Sequence, residues 1–346
     1  MRIEFFMGVL LLALAGSASA SDQCPLLRNH QTDPEIATRI AAVACDEHMN
    51  WYRPFIDSDG RLASSTVVEA ESSALQSGAG PAWLRVATYW HDAGLLQQMG
   101  GYQGANECAY ANVAGGMPAQ ACRGFVVDQP WSAAFVSWTM QRAGVPGFLS
   151  SASHFDYVRA ARSNPQRSPY LFLDPQATVA AAGDLLCYVR TGRVYGHAGL
   201  AEAIDSGANG LKMHCDIVVA ANAGGDGKVY LIGGNVQQSV TMRVLNLNAS
   251  GRFWNLPMRS QGDLPCSPDA PAACNFNRQD WSVLLKLKPQ AQLALMPPTR
   301  MLPPPRSPSL QTRCCVQCVL GAVPQIPRCP VAGSRVVPAA ADQDGD

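Results

Sequence analysis

The chain has 346 residues, with 26 Lys and Arg balancing 26 Asp and Glu, so its formal net charge is zero. A neutral chain lacks the long-range field that draws proteins to nucleic acid or to acidic surfaces, and no nucleic-acid partner is expected. Its 47% hydrophobic content and its length allow one large core or two small ones.

At the N-terminus, Arg2 precedes the apolar run Val9-Leu10-Leu11-Leu12-Ala13-Leu14-Ala15, and Ser17-Ala18-Ser19-Ala20 follows. A basic residue, a short apolar run and an A-x-A end read as a secretory signal peptide over residues 1–20, cut after Ala20. The run is too short to span a bilayer and no later stretch is long enough, so no stable membrane insertion is expected. Cys24 lacks the small and apolar residues that precede a lipoprotein cysteine. The expectation is a periplasmic or secreted protein.

Export gives the twelve cysteines an oxidising compartment in which to pair. Cys108 with Cys122 and Cys266 with Cys274 are close in sequence across Gly/Pro-rich loops and are expected to form bridges. Cys187 and Cys215 fall within apparent strands, either as a pair or as two buried thiols.

A region of helices and stapled loop is expected over residues 21–122. The first helix covers 33–52, with Asp33 as cap, Pro34 at the first position and Ile36, Ile40, Val43 and Trp51 on one face. A second opens at Pro81, and the helical spacing of Trp83, Tyr89 and Trp90 reads as core rather than as a sugar-binding platform. Residues 100–123, rich in Gly, Ala and Asn, read as a loop.

A core domain is expected over 123–290. Its clearest element is a helix at Pro130, with Asp128 as cap, the stripe Trp131, Ala134, Phe135 and Trp138, and Gly144 and Pro146 at its end. A short helix is expected from Ser153 to Ala161. Strands follow at Leu185 to Val189, Cys215 to Ala220, Val229 to Ile232, Val240 to Val244 and Trp281 to Leu287, joined by Gly, Asn and Asp turns that favour antiparallel meanders. Helices followed by strands indicate an α+β class. Residues 291–346 read as a Pro-rich disordered tail. The spacing of Cys314, Cys315, Cys318 and Cys329 is irregular and no histidine is near, which favours disulfides over zinc. No metal or organic cofactor is expected.

Four motifs occur in order: Trp131-Ser132-Ala133-Ala134-Phe135-Val136-Ser137-Trp138, Ala182-Gly183-Asp184-Leu185-Leu186, His214-Cys215-Asp216-Ile217-Val218 and Ile232-Gly233-Gly234-Asn235. Over roughly residues 125–245 this order resembles the papain-like superfamily of bacterial peptidoglycan amidases and endopeptidases, of the CHAP and NlpC type. It is most similar to a serine-bearing branch of exported proteins, a domain family of unknown function. That likeness extends back through Ala82-Trp83-Leu84-Arg85-Val86-Ala87-Thr88-Tyr89-Trp90 to about residue 33. The resemblance implies a papain-like fold, with N-terminal helices on an antiparallel sheet, and a peptidoglycan or muropeptide partner. It also implies Ser132 as nucleophile, His214 as general base and Asn235 as the group that orients the histidine. Trp131, His154 and Asp216 become candidate substrate-binding residues, and His197 has no role.

The physical rationale is that a helix start offers partial positive charge and free N–H groups to a thiolate or an oxyanion. Such enzymes carry cysteine where this chain has Ser132, and a hydroxyl must lose its proton to a base during attack. Three readings follow: a cell-wall amide hydrolase, an inactive domain that binds muropeptide or a partner protein, and a serine esterase or acyltransferase. Each residue also has a plainer reading, with Ser132 satisfying first-turn N–H groups, His154 capping a short helix and Asn235 forming a turn. Oligomeric state is left open.

Overall fold

A computed structural model describes residues 22–298, apart from residue 79 and residues 112–114. The expected signal peptide, most of the expected tail and its four cysteines lie outside the described residues. Among the described residues, no helix is long and apolar enough to cross a membrane.

In chain order, α1 (Cys24–Leu27) and α2 (Ile36–Asn50) precede β1 (Phe55–Ile56), and α3 (Ala82–Asp92), α4 (Ala105–Cys108), α5 (Met117–Asp128), α6 (Ser132–Ala143) and α7 (His154–Ser163) follow. Then come β2 (Tyr170–Leu173), β3 (Leu185–Val189), α8 (Gly196–Asp205), β4 (Met213–Ala221), β5 (Lys228–Val236), β6 (Ser239–Asn246), β7 (Asp280–Leu287) and α9 (Gln290–Leu293). The seven strands form one sheet in the order β1-β6-β5-β4-β3-β7-β2. Neighbours are antiparallel except β1, a two-residue edge strand that pairs parallel with β6. The class is α+β with a mixed sheet.

Strand periodicity divides the core. Side chains alternate between faces, so Leu185, Cys187, Val189, Met213, Cys215 and Ile217 join the large cluster built by the helices. Leu186, Tyr188, Val218, Leu231 and Trp281 form a smaller cluster on the opposite face. Helices α2 and α6 pack on the large-cluster face, and Trp51, Tyr89 and Trp90 are buried there. The helices of residues 21–122 therefore share a core with the strands. At the other end, Leu293 of α9 is buried against that cluster, inside the stretch expected to begin a tail.

Several local expectations need correction. The loop over 100–123 contains α4 and most of α5, because Pro118 occupies the first turn and Ala and Gln support helix. Asp128 ends α5 rather than capping the next helix. Helix α2 begins after Glu35, and the Asp33 carboxylate instead accepts the Glu35 N–H at 2.9 Å. Cystines Cys108–Cys122 and Cys266–Cys274 form as expected, and Cys187–Cys215 is a pair joining the facing residues of β3 and β4. A fourth bridge, Cys24–Cys45, ties α1 to α2.

Closing the 28-residue separation between Cys187 and Cys215 restricts the unfolded chain. Replacing both with Ala is expected to lower unfolding free energy by about 3 kcal/mol, read from urea denaturation. His48 on α2 sets an acid limit: its Nε2–H donates to the Pro54 carbonyl at 2.9 Å, while Nδ1 is buried without a partner. Burial pushes the imidazole down to about 4, because a second proton would place a charge there with nothing to receive it. The unfolded chain binds that proton first, so stability is full above the ordinary histidine value and is lost as pH falls from about 6.5 to about 4. His48→Gln is expected to reduce this slope by up to about 1.4 kcal/mol per pH unit, measured by unfolding at a series of pH values.

Candidate active site

Helix α6 starts at Ser132, with Trp131 as its N-cap residue and no side-chain cap of its own. The start is fixed from outside. The Asn235 amide oxygen accepts the Trp131 N–H at 3.2 Å, and its nitrogen donates to Glu69 Oε2 at 3.2 Å. Glu69 also accepts the Trp131 indole N–H. Burial raises the Glu69 carboxyl, with the indole hydrogen bond acting in the opposite sense. Trp131 itself is fully buried and stacks on Trp51 at 5.8 Å between ring centroids. The expectation of Trp131 as a substrate contact is thus corrected: its stripe faces the core.

Helix α7 is pinned to α6 by a chain of serines. Ser137 Oγ donates to the Ser151 carbonyl at 3.0 Å, and the Ser151 N–H donates back to Ser137 Oγ at 3.1 Å. Ser151 Oγ in turn accepts the Ser153 N–H at 3.0 Å and donates to Asp156 at 2.6 Å. These bonds set His154, the first residue of α7, against the first residue of α6. His154 Nε2 lies 2.7 Å from Ser132 Oγ, and its Nδ1 is hydrogen-bonded to the Tyr157 hydroxyl one turn on. If Nδ1–H donates to the Tyr157 oxygen, Nε2 is left to accept the Ser132 proton. Burial holds His154 well below the ordinary histidine value, the neighbouring His214 adds to the effect, and Asp216 opposes it. His154 is therefore a neutral imidazole at neutral pH, the form a general base requires.

His214 has a different partner. Its Nε2 is 2.8 Å from Asp216 Oδ1, and Arg243 Nε donates to the other oxygen of Asp216 at 3.0 Å. Arg243 also donates to the Phe276 carbonyl at 2.6 Å and to Asn277 at 2.8 Å. Burial alone would raise the Asp216 carboxyl, but His214 and Arg243 outweigh it and bring it down to about 2. Asp216 is thus ionised and fully buried, so it is a support rather than a substrate contact.

The alternation of β4 explains this arrangement. Met213, Cys215 and Ile217 turn toward the helices that carry Ser132, which leaves His214 and Asp216 on the other face, beside Tyr188 and Arg243. His154 bridges the gap, with its ring centroid 5.2 Å from that of His214. The structure therefore pairs Ser132 with His154 instead of His214, and His214 with Asp216 instead of Asn235. Gly233 is required by the same packing, since a Cβ there would lie 2.0 Å from Asp216 Oδ1 and 2.9 Å from His214 Nε2. One residue on, a Cβ at Gly234 would meet Phe135 at 2.5 Å, so the two glycines admit the buried pair on one face and α6 on the other.

Ser132 and His154 line a cleft of about 700 Å³, together with Ala133, Arg190, Leu211 and Lys212. Among the described residues, no group of His, Cys, Asp and Glu has the arrangement of a metal site. His197, for which no role is expected, is hydrogen-bonded through Nδ1 to the Ser282 carbonyl at 3.0 Å.

Residues 78–287, well over half of the chain, match the model of a family described as an uncharacterized protein conserved in bacteria, DUF2272. The chain belongs to this family. Curated proteins and solved structures give no match. The DUF2272 segment contains Ser132, His154, Tyr157, His214, Asp216, Asn235 and Arg243, whereas Glu69 and His48 precede it. The paired glycines and both histidines of the candidate site thus fall within the part that defines DUF2272 membership.

Asp216 compensates a guanidinium that is itself buried, so Asp216→Asn would leave Arg243 without its counter-ion. The expected loss is about 3–5 kcal/mol of unfolding free energy at neutral pH, measured by urea denaturation. A loss below about 1 kcal/mol, the size of an exposed ion pair, would show that the network does not hold the site.

Proposed function

We propose that this chain is an exported acyl hydrolase that cleaves an amide of bacterial cell-wall peptide, with Ser132 as nucleophile and His154 as general base. The observation that carries the reading is the 2.7 Å contact between the Ser132 hydroxyl and His154 Nε2 at the wall of a substrate-sized cleft. The motif order that resembles papain-like cell-wall enzymes supports the choice of an amide in peptidoglycan. Four cystines suit an oxidising compartment outside the cytoplasm.

In the proposed reaction, Ser132 Oγ attacks the acyl carbon as its proton passes to His154 Nε2. The C=O π pair moves onto oxygen, which accepts hydrogen bonds from first-turn N–H groups of α6 that have no intrahelical acceptor. His154, now an imidazolium, keeps Nδ1–H on the Tyr157 oxygen, and the ionised Asp216 nearby offsets its charge. Collapse of the intermediate breaks the C–N bond, and His154 returns the proton to the leaving amine. Water, deprotonated by His154, then hydrolyses the acyl-serine and restores Ser132. The same steps serve an ester, with an alcohol leaving.

The test is release of fragments from peptidoglycan, with a nitrophenyl ester as a second substrate. Ser132→Ala is expected to abolish turnover, and His154→Ala to lower kcat by about 10²–10⁴-fold. The acid limb of kcat/KM is expected below the ordinary histidine value of about 6.5, because His154 must be deprotonated and burial lowers it. Wild-type protein that turns over neither substrate would reject the hydrolase reading in favour of a binding domain. Activity that survives His154→Ala but not His214→Ala would reject His154 as the base.

A further inference from the structure

We infer that the cleft takes an acyl substrate bearing a carboxylate, held by Arg190 and Lys212. The inference deepens the hydrolase reading, on which it rests for the identity of the substrate. Arg190 follows the last residue of β3 and Lys212 precedes the first residue of β4, and the pair Val189–Met213 is the final step of that antiparallel register. The Arg190 N–H donates to the Lys212 carbonyl at 2.7 Å, continuing the ladder by one step. Residues directly opposite on neighbouring strands project to the same side with their Cβ atoms about 5 Å apart, and like charges in such a pair repel.

Among the described residues, no carboxylate pairs with either cation to relieve that repulsion. Neither Arg190 nor Lys212 has a salt bridge among the described residues, although most arginines of the sheet and the helices do, as Arg243, Arg85 and Arg162 illustrate. Both side chains are exposed, and both line the cleft that holds Ser132 and His154, whose described lining includes no Asp or Glu. In a chain of zero net formal charge, two unpaired cations beside a nucleophile form a local feature rather than part of a general basic surface. The helix start at Ser132 adds partial positive charge on the adjoining wall. A guanidinium and an ammonium side by side suit a carboxylate, which the guanidinium can bind through two parallel N–H bonds while the ammonium neutralises it.

The test uses the purified chain with its cystines intact and two esters of similar size, p-nitrophenyl succinate, which carries a carboxylate, and p-nitrophenyl butyrate, which does not. The quantity read is the ratio of their kcat/KM values in wild type, Arg190→Gln, Lys212→Gln and the double variant. Wild type is expected to favour the succinyl ester, and the double variant to lose about tenfold of that ratio, mainly through KM. High salt is expected to reduce the wild-type ratio toward that of the double variant. A ratio that does not move with either substitution or with salt overturns the inference. If wild type turns over neither ester, the hydrolase reading fails separately, and calorimetric titration with succinate decides the site. Salt-sensitive binding by wild type that is lost in the double variant supports the carboxylate site, and binding that is equal or absent in both overturns it.

Discussion

A single buried carboxylate organises the centre of this molecule. Asp216 has no access to water, and it remains ionised because His214 takes one of its oxygens and Arg243 the other. Each partner is then committed. Arg243 is fixed on β6 and reaches the loop before β7 through Phe276 and Asn277, so the carboxylate ties β4 to two other parts of the chain. Because an ion pair is costly to bury and still more costly to break, the strands around it have little freedom to shift register. Gly233 carries the same constraint on the neighbouring strand, where any side chain would collide with the His214–Asp216 bond.

The candidate site stands one layer away from that pair, held by hydrogen bonds among side chains and backbone. Asn235 and Glu69 hold the mouth of α6, and Ser137 and Ser151 hold α7 beside it. The two helix starts therefore meet with both contributing their first residue, a serine from α6 and a histidine from α7. Asn235 sits at the bulge after Gly233, with φ +57°, a left-handed conformation that asparagine tolerates better than most residues. That backbone turn aims its amide at the Trp131 N–H and away from the histidines. Its contribution is to position the start of α6 and with it Ser132.

What was legible in the sequence follows from the range of the forces involved. The stripe Trp131, Ala134, Phe135 and Trp138 and the strands from Leu185 onward are local periodicities, and they mark real elements. Helix α8 left no comparable mark, because its start is held by Asp280, whose carboxylate accepts the N–H groups of Tyr195 and Gly196 at 2.8 Å from far along the chain. The misassigned Asp128 is a similar case: a residue suited to capping lies where one helix ends and another begins, and only packing decides which. The role of His214 was read from its position in a motif, but β-strand alternation turns it away from Ser132. The interval from Trp138 to His154 contains no recognised motif. The signal is chemical, in Ser137, Ser151 and Ser153, three of the hydroxyl residues between Ser132 and His154, and their joint meaning appears only once α6 and α7 are packed.

A hydroxyl at position 132, rather than a thiol, fits the electrostatics of this pocket. A cysteine–histidine couple works best when the thiol has already given up its proton, leaving a thiolate beside an imidazolium. Here the imidazole next to position 132 is buried and lies beside a second histidine, and both effects disfavour its protonated form. A resting ion pair would have to overcome that bias, whereas a serine needs no resting charge. It requires a neutral acceptor already aligned with the hydroxyl, and a means of stabilising positive charge for the brief period when the proton has moved. His154 meets the first requirement, held by Tyr157 at its far nitrogen, and Asp216 meets the second from the opposite side of the sheet. The buried carboxylate and the hydroxyl are thus linked: under the proposed mechanism, the same packing that disfavours a charged His154 suits a serine at position 132 better than a thiolate.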